Sequence, residues 1–150
     1  MPREYADSIY YSAAETAKII RAELKATFPH VKFSVRAENF AQGNAVRVHW
    51  ENGPMEHLVR ALTSDKYQSY LPDHDVRSIP LPGGKRAYYA KFITTSRRFS
   101  QEITDNEVNE QMRRYGLTHP TQSMPNGWMN AYDLARQELA KRDFCEAVLV

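Results

Sequence analysis

A chain of 150 residues with a formal charge of +2 fits one domain with one core, and a charge that small does not by itself imply a nucleic-acid partner. Hydrophobic residues make up 42% and charged residues 25%, a soluble globular balance, and no apolar run approaches the roughly 20 residues that span a bilayer. The single cysteine, Cys145, excludes an intramolecular disulfide and a multi-cysteine zinc site. With a start, MPREYADS, that lacks the basic and apolar parts of a signal peptide, it points to a reducing cytosol.

Residues 1–11 are polar, carry Tyr5, Tyr10 and Tyr11, and read as an arm packed on the body. Ser12 and Glu15 form a capping box, and Ala13, Ala17, Ile20, Leu24 and Phe28 recur at helical spacing until Pro29 stops the helix. Val31, Phe33 and Val35 then alternate with Lys32, Ser34 and Arg36, and Val46, Val48 and Trp50 alternate with Arg47 and His49. A period of two sends alternate side chains to opposite faces, so this predicts a hairpin, apolar beneath and basic above. Gln42-Gly43-Asn44 supplies its turn.

Asn52 or Gly53 caps the next helix, with Pro54 in its first turn and Met55, Leu58, Val59 and Leu62 facing inward. Tyr67 to Gly84, interrupted by prolines, reads as a long connection with one extended piece at Val76 to Ile79. Arg86 to Arg98 is rich in aromatic and β-branched residues and predicts a third strand. Thr104 and Glu107 repeat the capping box, Ile103 and Val108 form a staple, Val108, Met112 and Tyr115 continue the stripe, and Gly116 is a C-terminal cap. After a loop over 117–127, a last helix from Trp128 to Lys141 carries Trp128, Tyr132, Ala135 and Leu139 on one face. The apolar end, Ala147 to Val150, reads as an edge strand or as core packing.

Two stretches resemble a known family. SAAETAKIIRAELKATFPHVKFSVR and the later VRVHWENGP, with its junction of Trp50, Glu51, Asn52, Gly53 and Pro54, are similar to the large polyvalent protein-associated domain twenty-nine. The likeness is strongest over residues 11–63 and weaker from Tyr88 to Tyr115, and 117–150 lie outside it. The resemblance implies a phage, plasmid or conjugative-element protein that helps its element establish itself in a bacterial host, including by countering host defence. It carries no catalytic residue set, so Trp50, Gly53 and Pro54 read as structural.

Four constellations come closest to chemistry. From Val76 to Gln101 there are cations and no acid; with Tyr88, Ala90 and Phe92 inward, Tyr89, Lys91, Ile93 and Thr95 share the outer face with Lys32, Arg36, Arg47 and His49, near Arg97 and Arg98. Rings among cations on an open sheet suit a single-stranded nucleic acid. The opposite register, with Tyr89 and Ile93 inward, stays open, and so does a plain solvated basic face. Asp73-His74-Asp75 has metal-ligand residue types but lies in a proline-rich loop, where a solvated turn is favoured. Cys145, beside Asp143 and Glu146, has acids that raise a thiol's pKa, and Ser96, Ser100 and the histidines match no triad signature. Glu102, Asp105, Glu107 and Glu110 are too few for mimicry of nucleic-acid phosphates; Asp105 and Glu107 suit a helix's first turn.

The expected fold is α+β: a single domain with a three-stranded, mainly antiparallel sheet, helices on one face and the order α-β-β-α-β-α-α, residues 11–116 being the family-like core and 117–150 a helical extension. The expected function is a non-enzymatic, cytoplasmic accessory protein without cofactor, metal or membrane. It binds a host protein or ribonucleoprotein complex and inhibits a defence system, as an anti-CRISPR does. The alternative is a nucleic-acid-binding module, and in either case Lys32, Arg36, Arg47, His49, Tyr89, Lys91, Arg97 and Arg98 are the candidate contact residues.

Overall fold

The computed structural model describes residues 2–73, 75–125 and 127–145 and has an α+β fold. Its elements are β1 (Arg3–Glu4), β2 (Ser8–Tyr10), α1 (Ala13–Thr27), β3 (Phe33–Phe40), β4 (Gly43–Glu51), α2 (Glu56–Leu62), α3 (Ser64–Tyr67), β5 (Ile79–Pro80), β6 (Arg86–Tyr88), β7 (Phe92–Arg98), α4 (Gln101–Tyr115) and α5 (Ala131–Ala140). They build a three-stranded sheet in the order β3-β4-β7 and a four-stranded sheet in the order β1-β2-β6-β5. The expected edge strand or core packing at Ala147 to Val150 falls outside the described residues.

Helix α1 starts where its capping box sets it. The Ser12 hydroxyl accepts from the Glu15 N–H at 3.1 Å and the Glu15 carboxylate accepts from the Ser12 N–H at 3.0 Å. Its inward stripe is Ala13, Thr16, Ala17, Ile20 and Leu24, all buried. That stripe packs on the inner face of the three-stranded sheet, where Val35, Val46, Val48, Trp50 and Ile93 meet it, with Val59 of α2 and Tyr67 of α3 in the same core. Burying side chains the size of Ile20 and Leu24 stabilises by about 1.5–3 kcal/mol each. Trp50 is 1% exposed, and its indole N–H donates to the Pro54 carbonyl at 3.0 Å, which fixes how the chain leaves β4.

The hairpin forms in the expected register, with Val35 opposite Val48 and Arg36 opposite Arg47, but its turn lies earlier than expected. Ala41 and Gln42 make the bend, while Gly43 and Asn44 are already in β4. Gly43 is small for a different reason: a Cβ there would lie 2.8 Å from the Lys91 side chain. The second helix is capped at Met55, so Asn52, Gly53 and Pro54 precede it. Asn52 and Gly53 instead take positive φ, 57° and 54°, and turn the chain sharply after β4. Gly53 suits that conformation, and a Cβ there would press on the Trp50 ring and Val31 at 3.1 Å.

The largest departure is at Arg86 to Arg98, expected as one strand. It is two, in different sheets: β6 pairs with β2 and β5, and β7 pairs parallel to β4. The three-stranded sheet is therefore mixed rather than mainly antiparallel. The N-terminal arm becomes β1 and β2, with β2 running parallel to β6. Helix α4 begins earlier than expected, because the Ser100 hydroxyl accepts from the Ile103 N–H and places Thr104 inside the helix; Gly116 ends it at φ 64°. Helix α5 starts at Asn130, which forms a capping box with Asp133, so Trp128 precedes the helix and is 80% exposed. Ala131 and Ala135 of α5 build a second core with Val108 and Leu117.

Replacing Trp50 by alanine should cost about 3–5 kcal/mol, because it opens a cavity and frees the Pro54 carbonyl. A urea titration checks this, and an unchanged midpoint would contradict the anchoring role.

Candidate functional site

Between β6 and β7 the chain crosses from one sheet to the other, and its backbone groups leave both ladders. Side chains and the backbone of Ser69 and Tyr70 satisfy them instead. The Ala90 N–H donates to the Thr16 hydroxyl at 3.1 Å, the Lys91 N–H to the Asn44 side-chain carbonyl at 2.8 Å and the Ile93 N–H to the Gln68 side-chain carbonyl at 2.8 Å. The Ala90 and Lys91 carbonyls accept from the Ser69 and Tyr70 N–H groups, each at 3.0 Å. A buried backbone group without a partner costs about 1–3 kcal/mol, so these bonds hold the crossing in place.

The crossing opens on a cleft of about 600 Å³. Its walls are Tyr10, Tyr11, Tyr70, Tyr88 and Tyr89, with the cations Arg3 and Lys91 and the carboxylate of Glu15. The parallel register of β2 and β6 stacks Tyr10 on Tyr88 at 4.8 Å, and beyond it Tyr11 stacks on Tyr89 at 4.7 Å. Lys91 holds its ammonium 4.7 Å over the Tyr70 ring and donates to the Gln42 carbonyl at 3.2 Å. Aromatic surface continues outside the cleft: Tyr5 meets Tyr10 edge-on, Tyr70 meets Phe92, and Phe92 lies against Phe40. Tyr5, Tyr10, Phe40, Val76 and Phe92 are all exposed.

Beneath the cleft, Tyr67 packs edge-on against Tyr89 and donates its hydroxyl to the Glu23 carboxylate, which also pairs with Lys66 at 2.7 Å. Burial, and then the Glu23 hydrogen bond, push the Tyr67 phenol up to about 12, and burial likewise raises that of Tyr89. Both rings stay neutral at physiological pH and serve as apolar walls with one polar tip.

The candidate contact residues fall into three groups. Tyr89 and Lys91 are in the cleft. Arg36, Arg47, His49 and Arg98 share the open face of the three-stranded sheet, and Lys32 is exposed just before β3. Of these, Arg47 is paired with Glu38 at 2.6 Å and Arg98 with Glu51 at 2.7 Å. The structure adopts the register with Tyr89 and Ile93 inward: Ile93 is buried, Phe92 and Thr94 face outward, and Tyr89 and Lys91 do not share that face.

Arg97 points to the inner side and bonds the carbonyls of Asn52 at 2.7 Å, Gly53 at 2.9 Å and Arg142 at 2.6 Å, with Phe99 and Phe144 against its guanidinium. Its Nη1 is buried with no partner among the described residues. Arg3, Tyr10, Tyr11 and Tyr70 had no place among the candidates. The signal for them was the tyrosine content of the arm, which matters only once β2 pairs with β6.

Other constellations do not assemble. Asp73 and Asp75 are exposed in a turn, where Asp73 accepts from the Asp75 N–H at 3.3 Å, and His74 lies outside the described residues. Among the described residues, no group of three His, Cys, Asp or Glu side chains could hold a metal ion. Glu107, expected in a first turn, is inside α4, 5% exposed, and pairs with Arg142 at 3.0 Å. Burial, and then the neighbouring Asp143, push the Cys145 thiol up to about 12.

The family model of the large polyvalent protein associated domain 29 matches residues 11–100, more than half of the chain, and the protein belongs to that family. No curated protein and no solved structure matches it significantly.

The matched region contains most of the cleft and Arg97, whereas Arg142 and Phe144 lie beyond it, so Arg97 joins the family region to the C-terminal part. Arg97→Gln should lower stability by about 2–3 kcal/mol in denaturant titrations, since it strands the Asn52 and Arg142 carbonyls and takes one of two donors from the Gly53 carbonyl. A shift below about 0.5 kcal/mol would contradict that joint. At pH 8, Cys145 should react with iodoacetamide on the order of a thousandfold more slowly than free cysteine, rising about tenfold per pH unit as the thiolate forms. Alkylation at the rate of free cysteine would contradict the raised pKa.

Proposed function

We propose that this chain is a non-enzymatic accessory protein of a phage, plasmid or conjugative element that binds a host protein, alone or within a ribonucleoprotein complex, and hinders a defence system as an anti-CRISPR does. The observation that carries the binding part is the tyrosine-walled cleft with its exposed aromatic rim. Tyrosine and arginine dominate the energetic centres of protein interfaces, because they bury a large area at a small entropic cost and keep a polar tip. A concave site of about 600 Å³ accommodates several partner side chains, and Arg3 and Lys91 at its wall favour an acidic or carbonyl-rich segment. Family membership supplies the mobile-element context.

The same rings and cations favour one alternative, a short single-stranded nucleic acid stacked in the cleft. The open sheet face supports that reading less, because Arg47 and Arg98 are already tied to Glu38 and Glu51. Salt separates the two partners, since a phosphate-dominated complex weakens steeply as ionic strength rises.

Affinity capture from bacterial lysate, with and without nuclease, tests the proposal. The unmodified protein should retain a stoichiometric protein partner after nuclease treatment and moderate salt. A variant combining Arg3→Gln, Tyr10→Ser and Lys91→Gln should bind that partner at least about tenfold more weakly, a loss of about 1.4 kcal/mol, while melting within a few degrees of the parent. Recovery of nucleic acid alone, or full binding by the variant, would overturn it.

A further inference from the structure

Strand β3 is an edge of its sheet, pairing with β4 on one side only. Phe40 and Gly43 flank a two-residue bend and pair directly, so they exchange both ladder bonds. Bonding then alternates along the strand, and Phe33, Val35, Ala37 and Asn39 direct their N–H and C=O groups away from β4. One of these groups is covered: the Val35 carbonyl accepts from Arg21 at 2.6 Å. Among the described residues nothing bonds the outward groups of Ala37 and Asn39. All residues from Arg36 to Phe40 are exposed, while α1 packs over the end near Phe33 and Val35.

A bare edge of this length is a template for another strand, and proteins ordinarily blunt it with charge, proline or a bulge. Here the charges do not repel a second copy; they match it. Arg36 lies directly opposite Arg47 within its own sheet, a like-charge pair, and has no acidic partner among the described residues. Glu38, two residues on, pairs with Arg47 and is 48% exposed at its side chain, so it has room for a second cation.

We propose that two copies of this chain pair antiparallel through the β3 edge, with Ala37 on the twofold axis. Arg36 of each copy then faces Glu38 of the other. The outward backbone groups meet in the same arrangement: Ala37 exchanges both bonds with Ala37 of the second copy, and Val35 does so with Asn39. The Val35 carbonyl has a second lone pair for the new bond beside that from Arg21. The neighbouring registers that keep the outward groups in phase set Arg36 against Arg36 or Glu38 against Glu38 and are disfavoured. Antiparallel pairing also places the two α1 helices at opposite ends of the shared edge. Phe40, 43% exposed, comes opposite Ser34 and gains cover. The result is a continuous six-stranded sheet made of two three-stranded halves.

Charge exchange tests the register. In Arg36→Glu two acids face each other at both symmetric sites, and in Glu38→Arg two cations do. Each variant alone should dimerise about tenfold or more weakly than the unmodified protein in sedimentation velocity. Mixed in equal amounts they place opposite charges at both sites, and the dimer should return. Circular dichroism confirms that each variant is folded. Ala37→Pro, which removes an outward N–H that an edge position can lose, should also give a folded monomer. An unmodified protein that stays monomeric at its highest soluble concentration would overturn the proposal. So would a dimer insensitive to these substitutions, or a mixture that associates no better than its components. This holds or fails independently of the cleft, whose residues none of these variants touches.

Discussion

The crossing at Ala90–Lys91 is the point on which the two sheets depend. A strand that leaves one sheet and enters another strands its backbone groups in a partly buried place, and water is not there to satisfy them. Three side chains from separate parts of the chain do so: Thr16 from α1, Asn44 from β4 and Gln68 from the segment after α3. Thr16 performs two tasks, donating its hydroxyl to the Ser12 carbonyl and accepting from Ala90. The helix that covers one sheet is thereby fixed to the strand that leaves the other.

The cleft follows from that constraint. Because β6 and β7 diverge, Tyr88 of β6 stacks on Tyr10 of β2 and Tyr89 on Tyr11 just beyond, while Lys91 turns back across Gly43 to reach Tyr70 and the Gln42 carbonyl. The concave surface is thus built where the two strands part, and its rings are held by stacking on one another and, through Tyr89, against Tyr67 of the core. Arg97 plays a comparable part on the other side, tying the sharp Asn52-Gly53 turn to Arg142 and Phe144. The C-terminal part is held as well by the Phe144 N–H on the Gly53 carbonyl, by the Glu107–Arg142 pair and by the small core of Val108, Leu117, Ala131 and Ala135.

Much of the first half was legible because its signals are local. A capping box at Ser12 and Glu15, a stripe ended by Pro29 and two alternating runs need no information from elsewhere, and the helix, the two faces of the hairpin and the Trp50 anchor form as read, with only the turn displaced. Arg86 to Arg98 misled because β-propensity is high throughout and no glycine or proline marks the break. In the structure Ala87, Ala90 and Ile93 are buried three residues apart, a spacing that does not fit one face of a single strand with a period of two. The groups that permit the break, Thr16, Asn44 and Gln68, are remote in sequence and polar for reasons visible only in three dimensions. The basic sheet face was half legible, with Arg36, Arg47, His49 and Arg98 together; the acids Glu38 and Glu51 that answer two of them come from the same strands. Helix α4 starts at Ser100 rather than Thr104, since both residues are good caps and only the end of β7 decides between them.

We propose the cleft at the crossing, rather than the open sheet face, as the docking site for a protein partner. Amide hydrogen exchange of the free protein against its captured complex tests it most directly. Docking in the cleft should give new protection at Tyr10, Tyr11, Tyr70 and residues 88–91, with the amides of Arg36, Arg47, His49 and Arg98 unchanged. Protection confined to the open sheet face, with the cleft amides exchanging as in the free protein, would contradict it.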